Sequence, residues 1–355
     1  MTTSRRKPLS IALQGGGSYG AYAAGVLEAI LASRRVSIAQ LSGTSAGAVN
    51  AAIVASALAR GSTTDARRRL KGFWQAVAAP AVFDFGRGTF GPLEQSWREN
   101  MALWIGGRAL SPYQANPLGL DPLRDAIAAH VDVDALRHAI PLSVTVTNVR
   151  TGLPRVFRDG DVSLDALVAS ASLPQLFQAV EIGGEPYWDG GYSGNPTLRT
   201  LVEEHADRDV LIVQLTPNEA IHAPRDAVGI QRRVNEIVFN ASLVAEIQSL
   251  AALREVARDG DDPTGLRRLR LHRIGPPRAD VLAGGSPLER SPGWIARLMD
   301  SGREDGRSFL RRDHDDLGVR ETLDVAAFGA APWPVEKARL PADAGARSQA
   351  GMGQA

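Results

Sequence analysis

The stretch from Val36 to Asn50 constrains the fold most. An apolar segment, Val36–Leu41, runs into Gly43-Thr44-Ser45-Ala46-Gly47 and directly on into an alanine-rich run, Ala46 to about Ala59. That order is strand, tight turn, helix, the setting of a nucleophile elbow. A serine in such a turn projects its hydroxyl out of the fold, while Gly43 and Gly47 leave no Cβ where the backbone crowds. The following helix aims unpaired N–H groups and the positive end of its dipole at the same spot, which suits a developing oxyanion. The pentapeptide occurs twice, however. Gly16-Gly17-Ser18-Tyr19-Gly20 is a second copy, and in a chain with 36 glycines the pattern alone does not choose between Ser18 and Ser45.

The first sixty residues repeat one unit. Leu9–Leu13 alternates as a strand, Gly15-Gly16-Gly17 forms a loop, Ala21–Leu31 reads as a helix, and the Ser45 segment repeats the order. The pattern is β-α-β-α, which predicts a parallel sheet covered by helices. Gly15, Gly17 and Gly20 also satisfy a dinucleotide-binding fingerprint, but no Asp or Glu lies between Ala29 and Thr64 to hold a ribose.

From Phe73 to Tyr113 the chain is irregular and aromatic, suited to an acyl-chain pocket, a lid, a membrane-docking surface or plain satellite core. Strands follow at Leu142–Thr147 and Arg155–Arg158, then a short helix over Leu164–Ser172. A hairpin around Gly183-Gly184 delivers Asp189-Gly190-Gly191, where two glycines after a carboxylate allow a sharp turn and are expected to leave the carboxylate accessible. Val210–Leu215 reads as a buried central strand. Asp226–Arg258 reads as a long helix, allowing one break, with Ile230, Val234, Ile237, Ala241, Leu243 or Val244, Ile247 or Leu250, and Leu253 at helical spacing. Leu266–Ile274 alternates apolar and basic residues as an edge strand with one charged face would, and Ser291–Leu310 reads as another helix.

With 355 residues, 44% of them hydrophobic, the chain can build one large or two moderate domains. A formal charge of +1 gives no bulk attraction for nucleic acid, and the absence of cysteine excludes disulfides, thiol nucleophiles and cysteine zinc sites. Met1–Pro8 is basic but leads into a strand and a glycine loop, so no signal peptide is read. Ala46–Leu58, the most apolar later stretch, is too short and alanine-rich to span a bilayer. These features predict a cytoplasmic protein without a transmembrane segment.

With the glycine loop, the elbow and Asp-Gly-Gly in view, the chain resembles the patatin-like phospholipase family. The matching pieces are Gly15-Gly16-Gly17-Ser18-Tyr19-Gly20, Gly43-Thr44-Ser45-Ala46-Gly47, and Ala169-Ser170-Ala171-Ser172-Leu173-Pro174 leading to Asp189-Gly190-Gly191, over roughly Leu9 to Leu215. The resemblance implies an α/β fold, three-layer α/β/α with a mostly parallel sheet, and a lipid acyl hydrolase with a Ser-Asp dyad that needs neither metal nor cofactor. It implies Ser45 as nucleophile, Asp189 as base, the backbone N–H groups of Gly15, Gly16 and Gly17 as oxyanion hole, and Gly43, Gly47, Gly190 and Gly191 as turn glycines. Members often carry Arg or Lys where Tyr19 stands here.

The domain layout so implied is a flexible 1–8, a catalytic domain over 9–220 with an aromatic insert over 73–117, a carboxy-terminal extension over 221–340 and a disordered tail over 341–355. The expected partner is a lipid or other acyl ester, with peripheral membrane contact and no nucleic acid; oligomeric state is not read. An aspartate carboxyl in water titrates near about 3.9 and is a weak base at neutral pH, so Asp189 is expected to be partly buried. Competing readings are a Ser-His-Asp esterase using His205, His222, His272 or His314, each read as a surface or capping residue, and a non-catalytic lipid-binding scaffold on the same fold.

Overall fold

Strands β1 (Lys7–Leu13) and β2 (Val36–Thr44) lie parallel, with Leu13 opposite Gly43. Their connection is α1 (Gly20–Ala32), and α2 (Ala46–Ala59) follows β2 without a spacer. Both helices are buried along nearly their whole lengths, which accounts for small and apolar residues on every side. The computed structural model describes residues 6–79, 111–116, 121–203, 209–220, 222–258, 262, 265–282 and 285–328.

Helix α3 (Thr63–Ala78) is instead amphipathic. Ser62 caps it by accepting the Asp65 N–H, and Ala66, Leu70, Phe73, Trp74 and Val77 are buried opposite Arg67, Arg68 and Lys71. Phe73 and Trp74 therefore belong to an ordinary helix face and not to an irregular insert. The Trp74 indole donates to Asn50 Oδ1, whose amide donates to the Gly20 carbonyl, so polar bonds join α3, α2 and α1. Tyr113 is 55% exposed. The aromatics Phe83, Phe85, Phe90, Trp97 and Trp104 and the tail from 341 lie outside the described residues, as do positions 1–5. Lys7 and Pro8, of the stretch expected to be flexible, instead open β1, with Lys7 Nζ donating to the carbonyls of His314 and Leu317.

After α4 (Pro122–His130) come β3 (Leu142–Asn148), β4 (Pro154–Arg158), α5 (Leu164–Ser170) and the hairpin of β5 (Val180–Ile182) and β6 (Glu185–Asp189). Gly183 and Gly184 turn that hairpin with φ of 63° and 80°, as a two-residue turn of this hand demands. β7 (Asp209–Val213), α6 (Ala227–Arg258), β8 (Arg270–Ile274) and α7 (Pro292–Arg312) complete the order.

The eight strands form one sheet in the order β5-β6-β3-β2-β1-β7-β8, with β4 also pairing β3. β3, β2, β1, β7 and β8 are parallel neighbours; β4 and β6 run antiparallel to β3. Successive residues of β7 point to opposite faces. Leu211 and Val213 join the core beneath α1, α2, α3 and α7, whereas Val210 and Ile212 meet Leu243, Ile247 and Leu250 of α6. The architecture is three-layer α/β/α. The chain beyond residue 221 adds β8 to the same sheet and lays α7 on α1 at backbone contact, since a Cβ on Gly25 would sit 2.1 Å from the Met299 carbonyl oxygen.

Helix α6 is unbroken over 32 residues and carries two apolar stripes. Leu243, Ile247 and Leu250 pack on the sheet, but Ile230, Val234, Ile237 and Leu253 are 46–54% exposed. A shared 3.6-residue period cannot tell a stripe that meets the core from one that faces outward. Among the described residues, one helix, Gly229–Val256 within α6, is long and apolar enough by length and composition to cross a membrane; the apolar helix that begins at Ala46 is shorter.

Candidate active site

Ser45 closes the step from β2 to α2 with φ 54° and ψ −128°, a conformation side-chain-bearing residues seldom adopt. The surroundings hold it there. The Ser45 N–H donates to Ser170 Oγ at 2.8 Å, and that hydroxyl donates to the Thr145 carbonyl at 2.7 Å. A Cβ on Gly47 would lie 2.2 Å from the Leu13 carbonyl oxygen, and one on Gly43 would lie 2.6 Å from that of Gly47. Only glycine lets α2 start this close to the strand ends.

Sheet register brings Asp189 to the same place. Thr44 pairs with Thr145, and the next residue of β3, Val146, pairs with Asp189 at the end of β6. The Asp189 N–H donates to the Ser172 carbonyl and its carbonyl accepts from Thr147 Oγ1. The end of α5 and the residues just after it therefore grip both residues, through the Ser170 side chain and the Ser172 main chain. Gly190 and Gly191 have no left-handed φ; they are required for room. A Cβ on Gly190 would stand 2.2 Å from the Thr145 carbonyl oxygen, and one on Gly191 2.4 Å from the Phe239 ring.

The Asp189 carboxylate is fully buried, and not accessible as its glycine turn suggests, because the strands and Phe239 close over that turn. Oδ1 accepts the Gly191 N–H at 2.7 Å, while Oδ2 makes no hydrogen bond among the described residues. The Ser45 hydroxyl lies near enough to favour the ionised carboxylate. Burial raises the carboxyl pKa to about 7, against the opposing pull of the Gly191 amide and the Ser45 hydroxyl. A carboxylate so poised can take a proton from a neighbouring hydroxyl near neutral pH.

The glycine loop needs one correction. Gly15, expected as an oxyanion donor, has its N–H bound to Asn195 Oδ1 at 2.6 Å. The amides of Gly16 and Gly17 donate to no group among the described residues, and Gly17 has φ 57°. Asn195 is fully buried; its amide nitrogen donates to the carbonyls of Gly15 and Phe239, and its own N–H donates to Ser242 Oγ. Gln14 anchors the other side, accepting the Leu215 and Thr216 N–H groups and donating to Asn240 Oδ1. Sequence reasoning missed Asn195, Gln14 and the role of Ser170. The only signal was polar residues beside glycine motifs.

Ser18 is held by the structure around it. Its hydroxyl donates to the Ser286 carbonyl and accepts from the Trp294 indole, both at 3.1 Å. Tyr19 is buried against Trp294, and burial pushes its hydroxyl up to about 12, with Arg232 of α6 acting in the opposite direction. None of the described histidines hydrogen-bonds Ser45 or Asp189. His272 is fully buried, contrary to its surface reading, with Nε2 3.0 Å from Asp209 and Nδ1 2.9 Å from Thr322. It sits on β8, three strands from β2, on the order of 14 Å away at the usual strand spacing. His314 is also buried, beside Arg35 and Asp315. His222 is exposed and His205 lies outside the described residues.

The family description "Patatin-like phospholipase" matches residues 11–202. Among solved structures, VipD from Legionella pneumophila is 18% identical, with TM-score 0.42 over 86% of this chain and 67% of that one. ExoU, in its complex with SpcU from the type III secretion system of Pseudomonas aeruginosa, is 19% identical, with TM-score 0.25 over 92% and 75% of the two chains. No curated protein matches. With more than half its length covered by the family match, the chain belongs to the patatin-like phospholipase family.

Proposed function

We propose that the protein hydrolyses carboxylic ester bonds of lipids through an acyl-enzyme on Ser45, with Asp189 as general base. One observation carries this reading: a fully buried carboxylate, raised to about 7 and with Oδ2 unpartnered, stands beside a serine held in a strained turn. Ser45 Oγ attacks the ester carbonyl as Asp189 Oδ2 takes its proton. Asp189 returns that proton to the leaving alcohol, and water enters by the reverse route to release the fatty acid. The free amides of Gly16 and Gly17 and the unpaired first-turn amides of α2 stabilise the tetrahedral oxyanion. In so enclosed a site those donors act with little competition from water.

The test is hydrolysis of a short-chain aryl ester and of a phospholipid by the wild type and by Ser45→Ala, Asp189→Asn and Ser18→Ala. Loss in the first two variants with retention in the third supports the dyad. Full activity in Ser45→Ala overturns it.

A further inference from the structure

The outward face of α6 runs against the rule for a helix on a protein surface. Ile230, Val234, Ile237 and Val238 are 47%, 46%, 54% and 37% exposed, and Leu253 and Val256 near the helix end are 52% and 73% exposed. Ala241 and Ala245 extend the stripe and are exposed as well, after which exposed Gln248, Ser249 and Glu255 interrupt it. From Val234 to Leu253 no exposed position carries a charge. The unbroken stripe from Ile230 to Ala245 is about 23 Å long at the rise of an α-helix. Monomeric proteins seldom leave an apolar surface of this extent uncovered without a use for it.

The inward face is fixed to the catalytic core. Leu243, Ile247 and Leu250 pack on the sheet, Asn240 binds Gln14, Ser242 binds Asn195, and Glu246 accepts the N–H groups of Leu198 and Arg199. Spanning a bilayer would strip these polar groups of their partners, so the helix fits a membrane surface and not its interior. The charges at its start balance, as suits a zwitterionic headgroup layer: exposed Arg225 and Arg232 stand beside exposed Glu219 and Asp226, and the Glu236 carboxylate is bound to Arg233. The stripe also reaches the candidate active site. Phe239, next to Val238, meets the half-exposed Tyr192 ring at 5.3 Å, three residues from Asp189.

We propose that the outer face of α6 docks on a lipid surface, lying in the plane of the interface with the charged residues at its start among headgroups and the aliphatic stripe among acyl chains. This rests on the lipid-hydrolase reading and names the surface by which that site meets its substrate. Docking would set the Ser45 site against the lipid layer.

The experiment is co-sedimentation of the full chain with vesicles of equal parts phosphatidylcholine and phosphatidylserine. Ser45→Ala serves as parent so that turnover does not enter. The parent should bind, and adding Ile230→Ser, Val234→Ser and Ile237→Ser together should lower the vesicle partition coefficient about tenfold or more. Val319→Ser, which alters an exposed apolar residue after α7, should leave binding unchanged. Thermal melting of the triple variant should match the parent, which separates lost docking from lost folding. Equal binding by the triple variant overturns the proposal, as does a parent that does not bind. A parent dimer in light scattering that the triple variant turns into monomer also overturns it, because the face then pairs two copies. A wild type that binds vesicles but cleaves no ester defeats the hydrolase reading and leaves the docking surface standing.

Discussion

The two Gly-x-Ser-x-Gly copies have nearly the same residues and opposite fates. At Ser45 the pentapeptide joins the end of a central strand to a helix, forcing φ to 54° beside a buried carboxylate. At Ser18 it forms a 3-10 turn, and the hydroxyl is bonded to Trp294 and Ser286. The difference lies in what surrounds each serine. A nucleophile needs an unsatisfied hydroxyl and a base; a structural serine is one whose hydrogen bonds are already made.

The largest expected effect comes from Ser45→Ala, which should lower short-chain ester hydrolysis by about 10⁴-fold or more, as for other nucleophile deletions. Steady-state rates check it, and equal loss in Ser18→Ala would erase the contrast. Asp189→Asn should cost about 10²–10⁴ in kcat with KM little changed. The wild-type rate should rise with pH through about 7 as Asp189 ionises, and this limb should vanish in the asparagine variant.

The same group gives a stability prediction. Asp189 has a folded pKa raised above its unfolded value, so the folded state holds the extra proton between about pH 4 and 7, and stability falls as pH rises through that window. Asp189→Asn should therefore melt higher than the wild type at pH 8, by up to a few kcal/mol in unfolding free energy. A lower melting point would contradict the buried, uncompensated carboxylate.

Smaller effects test the supports. Asn195→Ala frees the Gly15 N–H from its acceptor and loosens the glycine loop, and should lower kcat about 10- to 100-fold while fluorophosphonate labelling of Ser45 slows in parallel. Ser18→Ala leaves the buried Trp294 N–H without its acceptor and should cost about 1–3 kcal/mol in denaturant unfolding, with kcat/KM within a few-fold of wild type.

Much of this contrast was legible in the sequence because it lies in local order. Val36–Leu41 before Gly43 and the alanines after Ser45 specify strand, turn and helix, and the paired glycines 183 and 184 place Asp189 at the end of a hairpin. What was illegible depends on contacts distant in sequence. Ser170 reaches Ser45 across 125 positions and Asn195 reaches Gly15 across 180, and no short motif encodes either. The sharp turn at Gly190 and Gly191 was legible, but the close approach of Thr145 and Phe239 that also demands glycine there, and the burial of Asp189, were not. Phe73 and Trp74 fit the spacing of α3, yet aromatic density beyond them obscured the helix. In α6 the period was clear, but which stripe meets the sheet depends on the sheet.

The most direct measurement is peptide mapping by mass spectrometry after reaction with a fluorophosphonate at pH 8, on wild type, Asp189→Asn and Ser18→Ala. A single adduct on Ser45 in wild type and Ser18→Ala, formed at least about 100-fold more slowly in Asp189→Asn, is the predicted result. An adduct on Ser18, or labelling of Ser45 that ignores Asp189, would contradict the account.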